Sequence, residues 1–257
     1  MMRIIKSFII AFSMYSKIPM PRAEWKEEDM KYVFCFFPFV GALIGALIFG
    51  WNCLCLRFEL PEICRILITA AIPMIVTGGI HVDGFMDVCD ALCSYKDKEE
   101  KLKILKDPHI GAFSVIMLAL YGLLFVSALS FITDLKAVIV LALSFVLSRT
   151  LSSLAAVNLK KAKEGTLNTF SKSSAKVVVN VFVIMEMLVV FAVLFLVDPV
   201  ACLVQFLCAA LSFTFYYFKT KKEFGGVTGD TAGYFVLITE IVCLIGLAVC
   251  SFFKIWG

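Results

Sequence analysis

Long blocks of apolar residues alternate with short polar segments along nearly the whole chain. Each block is close to the roughly 20 residues that cross the hydrocarbon core of a bilayer as a helix. Helices are expected because an open sheet edge leaves backbone hydrogen bonds unsatisfied in lipid. The pattern predicts an all-α, polytopic integral membrane bundle of about seven transmembrane helices in a single membrane-embedded domain, residues 1–257. The predicted spans are 32–56, 63–80, 110–133, 135–157, 177–198, 199–218 and 233–253.

Three regions of this pattern are less regular. The second block is the shortest, so a re-entrant segment is an alternative there. The fifth and sixth blocks nearly touch at Asp198 and Pro199, which also allows a tight hairpin. The segment 1–17 carries an apolar face between basic residues but is too short to span, so it predicts an N-terminal interfacial helix.

Composition supports a membrane protein. Hydrophobic residues make up 61% of the chain and charged residues only 17%, with a mean hydropathy of +0.95. These values exclude a soluble globular domain, a disordered chain and a coiled coil. The ten cysteines lie mostly in apolar blocks, where a thiol behaves as a small hydrophobe, and their spacing does not complete a zinc site. The small positive net charge of +4 does not imply a nucleic-acid partner.

The distribution of basic residues predicts an orientation. Nineteen of the 24 Lys and Arg residues fall on the side of the predicted bundle that holds the N-terminus. By the positive-inside rule, the N-terminus and the polar motif loops are expected in the cytoplasm and the C-terminus outside.

Three acidic residues stand at one end of the second block. Asp83, Asp87 and Asp90 recur at intervals that place them within about 60° of arc on one helix face. Side-by-side carboxylates repel one another, so a cation is expected to compensate them. Mg²⁺ commonly binds one or two carboxylates together with substrate phosphates. A solvated acidic helix face is the alternative interpretation.

Residues around these acids suit an anionic substrate. Gly78 and Gly79 permit close approach of a backbone to an anion or to a neighbouring helix. His81 is a candidate ligand or general base, although a hydrogen-bonded structural role is equally compatible with a lone histidine.

Further candidates lie in two other polar segments. Lys106 and Asp107 precede the third block and could close over a site. Thr228, Gly229 and Asp230 open the last helix, where backbone N–H groups can bind phosphate and a carboxylate can bind metal. A plain N-cap role for Asp230 is the competing interpretation.

Three ionisable residues are predicted at membrane depth, where function or pairing is the default expectation. Arg149 is a candidate phosphate contact or a partner of an intramembrane acid. Glu240 lies about three turns after Asp230 and could line the same cavity, whereas Glu186 has no motif around it.

At these residues the sequence resembles the cobalamin synthase family, the adenosylcobinamide-GDP ribazoletransferases. The resemblance covers nearly the whole chain in order. It rests on 12–21, 37–41, 78–84 with Asp87 and Asp90, Lys106 and Asp107 with Ile110 and Gly111, Gly165 with Phe170, and 226–230 with Gly233 and Glu240.

The resemblance implies a Mg²⁺-dependent transfer of the adenosylcobinamide phosphoryl group from adenosylcobinamide-GDP to α-ribazole or α-ribazole 5′-phosphate, with release of GMP. It implies His81, Asp83 and Asp87 as catalytic residues. Asp83, Asp87, Asp90 and Asp230 are expected to bind metal. The expected substrate contacts are Gly78, Gly79, Lys106, Asp107, Arg149, Thr228 and Gly229. The resemblance also implies the cytoplasmic membrane of a bacterium or an archaeon as the location. Membrane lipid is an expected partner, and the resemblance is compatible with a homo-oligomer and with association with other enzymes of the pathway.

Two alternatives remain at this point. A CDP-alcohol phosphotransferase uses similar acid spacing on membrane helices, but its signature has other residues beside the Asp-Gly pair than this chain has. A transporter is suggested by the intramembrane charges, although the sequence shows no inverted repeat.

Overall fold

A computed structural model describes residues 2–21, 26–162 and 166–255. Gly165, which contributes to the family resemblance, lies outside this range. The described residues form eleven α-helices and a short 3₁₀ helix, Glu27–Met30. The α-helices are α1 (Met2–Tyr15), α2 (Val33–Arg57), α3 (Glu62–Thr77), α4 (Ile80–Cys93), α5 (Lys98–Ile104), α6 (Ala112–Leu129), α7 (Leu135–Asn158), α8 (Thr166–Ser173), α9 (Lys176–Val197), α10 (Pro199–Glu223) and α11 (Gly229–Phe252).

Within the described ranges, six helices are long and apolar enough to cross a membrane: α2, α6, α7, α9, α10 and α11. Helices α3 and α4 together add a seventh candidate span, but they meet at an angle of 94°. The predicted all-α membrane bundle is therefore confirmed. The predicted tight hairpin between the fifth and sixth spans is also found, because Asp198 accepts hydrogen bonds from Val200 N and Ala201 N and begins α10 directly after α9.

The second predicted span is interrupted. Gly78 and Gly79 both adopt positive φ angles, 62° and 80°, which end α3 in the left-handed conformation that glycine adopts without strain. A Cβ atom on Gly78 would also collide with the Lys17 side chain. These glycines therefore bend the chain and let α1 approach, which is a structural reason for their presence beside the acids.

The centre of the bundle is formed by α2, α7 and α11, whose packing is closest where glycines face another helix. A Cβ on Gly45 would lie 2.6 Å from the Ala142 carbonyl oxygen, so α2 and α7 make contact through backbone there. Helices α9 and α10 carry many exposed apolar side chains, among them Leu196 and Leu211. These outer faces suit contact with lipid.

The N-terminal helix is tied to the same end of the bundle as the acids. Ile10 and Ala11 of α1 are fully buried, whereas Ile4 and Ile5 are about half exposed. The Lys17 N–H donates to the Val76 carbonyl at the end of α3 over 2.8 Å. The amphipathic helix is therefore present, and its place at a membrane interface stays a prediction.

Candidate active site

Helices α4 and α11 cross in close contact at two glycines. A Cβ on Gly84 would lie 2.8 Å from the Asp230 carbonyl oxygen, and a Cβ on Gly233 would lie 3.2 Å from His81 Cα. Any larger residue at Gly84 would push the two backbones apart. The crossing thus brings Asp83 of α4 next to the beginning of α11. The spacing of the two motifs in the sequence could not show this proximity.

The N-terminus of α11 is held by a reciprocal cap. The Thr228 side chain accepts a hydrogen bond from Thr231 N at 3.1 Å, and Thr231 Oγ1 accepts one from Thr228 N at 2.8 Å. Because Thr228 is the cap, the alternative role of Asp230 as a plain N-cap is wrong. The half-buried Asp230 carboxylate instead accepts a weak hydrogen bond from Thr228 Oγ1 at 3.3 Å.

Helix α4 and the beginning of α11 border a cavity of about 380 Å³, which we call the acidic cavity. Asp83, Gly229 and Asp230 lie in its wall, together with aromatic residues of α1 and α2. The beginning of α11 carries the positive end of the helix dipole, where backbone N–H groups point out of the helix. The site therefore combines carboxylates, which suit a cation, with backbone donors, which suit a phosphate.

Asp90 has a structural role that the sequence did not predict. Its two carboxylate oxygens accept hydrogen bonds from the backbone N–H groups of Gly111 and Ser114, both at 2.8 Å. Asp90 thereby fixes the first turn of α6. The described residues contain no group of three or more His, Cys, Asp or Glu side chains assembled for a metal ion. The four aspartates predicted to bind metal therefore do not form such a group, and metal binding by them stays a prediction.

Asp83 and Asp87 remain on the α4 face near this site. Asp83 is exposed, and Asp87 is half-buried one helical turn further along. The two carboxylates are compatible with the cation-binding role predicted for them, which stays a prediction.

His81 lies between the acidic cavity and a second one, since it lines both. Its side chain is only 6% exposed, and neither ring nitrogen has a hydrogen-bond partner among the described residues. The ring stacks beside Tyr15, with 6.3 Å between centroids, and packs at 5.5 Å from the Phe37 ring. The predicted alternative of a hydrogen-bonded structural histidine is not found, so the ring nitrogens are available to a ligand.

The second cavity, which we call the apolar cavity, has a volume of about 710 Å³ and lies between α3, α4, α6, α7 and α11. Its wall is mainly aliphatic and includes Tyr121 and Phe125. Arg149 and Glu240 also line it and form a buried ion pair. The Arg149 guanidinium donates further to the Phe145 carbonyl at 3.1 Å.

This pair confirms one of the two roles predicted for Arg149, whereas its role as a phosphate contact stays a prediction. Arg149 is paired with Glu240, as one of the sequence alternatives stated, and it lies in the apolar cavity and not beside Asp230. The expectation that Glu240 lines the same cavity as Asp230 is wrong. Glu240 lies on the face of α11 that contacts α7, where its carboxylate accepts a hydrogen bond from Ser148.

Lys106 and Asp107 are exposed in the segment between α5 and α6 and line neither cavity. Hydrogen bonds from the His109 backbone N–H and ring hold the pKa of the Asp107 carboxyl below its usual range. A role for this segment in closing over the site stays a prediction.

Sequence reasoning did not predict the contribution of α1. Tyr15 is supplied by the N-terminal helix and Phe37 by α2, and both line the acidic cavity. The only signal was that both positions fall in segments that carry the family resemblance. Their apolar character otherwise fits any membrane-facing or core position.

Comparisons with known proteins cover the whole chain. The family model described as Cobalamin-5-phosphate synthase matches residues 7–248. An adenosylcobinamide-GDP ribazoletransferase of Lachnoclostridium phytofermentans is 40% identical over 100% of this chain and 98% of its own length. Proteins of the same name from Clostridium botulinum and Geotalea daltonii are 33% and 29% identical, each over 95% of this chain and 97% of their own length.

No solved structure matches the chain. The sequence matches favour the ribazoletransferase interpretation over a CDP-alcohol phosphotransferase or a transporter. The chain therefore belongs to the cobalamin-5-phosphate synthase family.

Proposed function

We propose that this protein transfers the adenosylcobinamide phosphoryl group from adenosylcobinamide-GDP to a ribose hydroxyl of α-ribazole or α-ribazole 5′-phosphate. The products are adenosylcobalamin, or its 5′-phosphate, and GMP. Family membership supports the substrate pair. The single structural observation that carries the chemistry is the acidic cavity, in which Asp83 meets Asp230 at the beginning of α11.

The residues present fit a magnesium ion. Asp83 and Asp230 line one cavity, and Asp87 follows one turn later on α4. Mg²⁺ usually takes one or two carboxylates and completes its shell with water and substrate phosphate oxygens, so a ready-made group of three ligands is not required. When bound, the ion would neutralise charge that develops on the diphosphate.

The reaction needs little covalent chemistry from the protein. An oxygen of the acceptor ribose bonds to the phosphorus next to cobinamide, and the bond from that phosphorus to the oxygen shared with GMP breaks. The leaving GMP keeps the electron pair of that bond. Catalysis of this kind depends on positioning and on stabilising negative charge.

The chain supplies both requirements. The beginning of α11, at Gly229, presents the positive end of the helix dipole to phosphate oxygens. His81 is within the wall of the same cavity, where it can accept a hydrogen bond from the attacking hydroxyl and orient it. His81 or the Asp83 carboxylate then takes the hydroxyl proton as the new bond forms.

The membrane location suits this substrate. A corrinoid has both apolar and amide surface, so its ring can rest between helices while the nucleotide end reaches the acidic cavity. We propose that this end of the bundle faces the cytoplasm, where GMP and phosphorylated nucleosides occur. The excess of basic residues on the polar loops at this end supports that orientation.

The test is Mg²⁺-dependent release of GMP from adenosylcobinamide-GDP by the detergent-purified protein, with and without α-ribazole. We expect ribazole-dependent release in the wild type and its loss in Asp83→Asn. Glu99→Gln is the matched control, because Glu99 is an exposed carboxylate on α5 outside both cavities. Full activity of a folded Asp83→Asn variant would remove this residue from the chemistry.

A further inference from the structure

The apolar cavity is too large and too well formed to be a packing defect. Its volume of about 710 Å³ lies within the range typical of sites that enclose a small organic molecule. Leu67, Met74 and Leu123 line it and are also about half exposed or more, so the cavity opens sideways between α3 and α6. A ligand with apolar surface can enter it from the bilayer side.

The inner end of this cavity carries polar atoms with no internal partner. His81 Nδ1, His81 Nε2 and Arg149 Nε are buried and unpaired among the residues that the structure describes. An unsatisfied buried polar group carries a cost of desolvation that no contact offsets. A lipid acyl chain would fill the cavity and leave this cost in place, because it has no hydrogen-bonding atoms. The lining therefore fits a molecule that is apolar along its body and polar at its inner end.

Size and shape narrow the choice between the two substrates. A corrinoid ring with its amide side chains and adenosyl group is larger than this cavity. The nucleoside acceptor is smaller, with a flat apolar base joined to a polar ribose. Tyr121 and Phe125 offer aromatic surface in the wall, with 5.7 Å between their ring centroids, and flat bases pack favourably on such rings.

We propose that the apolar cavity binds the benzimidazole base of the ribazole acceptor, with the ribose directed at His81 and Arg149. This inference rests on the proposed function and assigns the two substrates to different cavities. His81 lines both, so it is the point where the acceptor hydroxyl meets the phosphorus held in the acidic cavity. The acceptor and the donor then approach from opposite sides of α4.

The chain offers a direct way to alter this cavity. Gly122 of α6 lines it, and a Cβ at that position would meet no atom within 4 Å. A leucine at Gly122 would therefore enter the space of the base without a clash against the backbone. Gly50 of α2 has equally open surroundings and lies outside both cavities, so Gly50→Leu is the matched control.

The experiment compares steady-state constants of wild type, Gly122→Leu and Gly50→Leu in detergent. We expect Gly122→Leu to raise KM for α-ribazole by about tenfold or more, the scale on which apolar pockets discriminate small groups. Its KM for adenosylcobinamide-GDP stays unchanged. The increase is smaller for the riboside of benzimidazole without ring methyl groups, since that base needs less room. Gly50→Leu changes none of these values.

Other results overturn the proposal. An unchanged KM for α-ribazole in folded Gly122→Leu would show that the base binds elsewhere. The same result is expected if lipid occupies the cavity. An increase confined to adenosylcobinamide-GDP would assign the cavity to the donor. If Gly122→Leu does not fold, Ala119→Leu tests the same wall.

Failure of the proposed function is distinguishable from failure of this inference. If the proposed function is wrong, wild type releases no GMP with either riboside. Calorimetric binding of α-ribazole without turnover then decides the inference alone. Weaker binding to Gly122→Leu than to wild type supports it, and equal binding or no binding to wild type contradicts it.

Discussion

The role of Asp90 can be tested by two changes that act on the same contact. Asp90→Asn keeps one carbonyl oxygen but replaces the second acceptor with an amide, so one of the two hydrogen bonds to the α6 N-terminus is lost. Gly111→Ala leaves the carboxylate intact but adds a Cβ that would lie 2.5 Å from Asp90 Oδ1. Both substitutions are expected to loosen the first turn of α6.

The magnitude follows from the contacts that are broken. Hydrogen bonds to charged groups contribute about 1.5–3 kcal/mol, and loss of a helix N-cap costs about 0.5–2 kcal/mol. We therefore expect each variant to lose about 1–3 kcal/mol of unfolding free energy. Because the two changes disrupt one interaction, Gly111→Ala should cost less in an Asp90→Ala background than in wild type.

The assay combines unfolding of the detergent-purified protein with a Mg²⁺ titration of GMP release. If Asp90 is only a cap, Asp90→Asn and Gly111→Ala lower stability to a similar extent, and the Mg²⁺ concentration for half-maximal activity does not change. A large rise in that concentration for Asp90→Asn alone, with stability unchanged, would refute the reasoning and restore Asp90 to the metal site.

Further predictions concern helix contacts, the buried ion pair and pH. In steady-state kinetics, Gly84→Ala should reduce kcat about a hundredfold, because its Cβ displaces the α11 backbone by up to about 1 Å. The control variant Gly50→Ala should leave kcat unchanged. Arg149→Met should lower the free energy of denaturant unfolding by about 3–5 kcal/mol, because it leaves Glu240 buried without its cation. Adding Glu240→Gln should restore part of that loss, and equal instability of the double variant would contradict this explanation. Burial and the charge of a nearby lysine lower the pKa of Lys161 to about 8, so above that pH the unfolded chain binds more protons than the folded protein. The unfolding free energy should therefore rise from about pH 8 toward pH 10 in wild type but not in Lys161→Met.

Much of the fold could be predicted because membrane helices are specified by apolar length alone. The break between α3 and α4 was only partly predictable. Gly78 and Gly79 signal an interruption, but the 94° bend depends on Lys17 and α1 packing against it. The apolar pattern placed the last span only from residue 233, whereas the motif at Thr228 and Gly229 correctly predicted the helix start. The first turn of α11 is polar and is stabilised by a cap and not by apolar contacts.

The site was predictable where one short motif carries the chemistry and less so where distant segments meet. Asp83 and Asp230 were identified from their local motifs. Asp90 was assigned to the same set because it shares a helix face with Asp83, and the backbone groups that it binds lie 21 and 24 residues further along the chain. No local pattern encodes a contact of that kind.

The most direct test of the central claim follows the transferred phosphorus. Adenosylcobinamide-GDP radiolabelled at the phosphorus next to cobinamide is incubated with purified protein, α-ribazole and Mg²⁺, and the products are separated. The account predicts that the label appears in the new corrinoid product and that GMP is unlabelled, with no transfer by Asp83→Asn. Guanylyl transfer to ribazole, with the label left on free cobinamide phosphate, or undiminished transfer by Asp83→Asn, would contradict it.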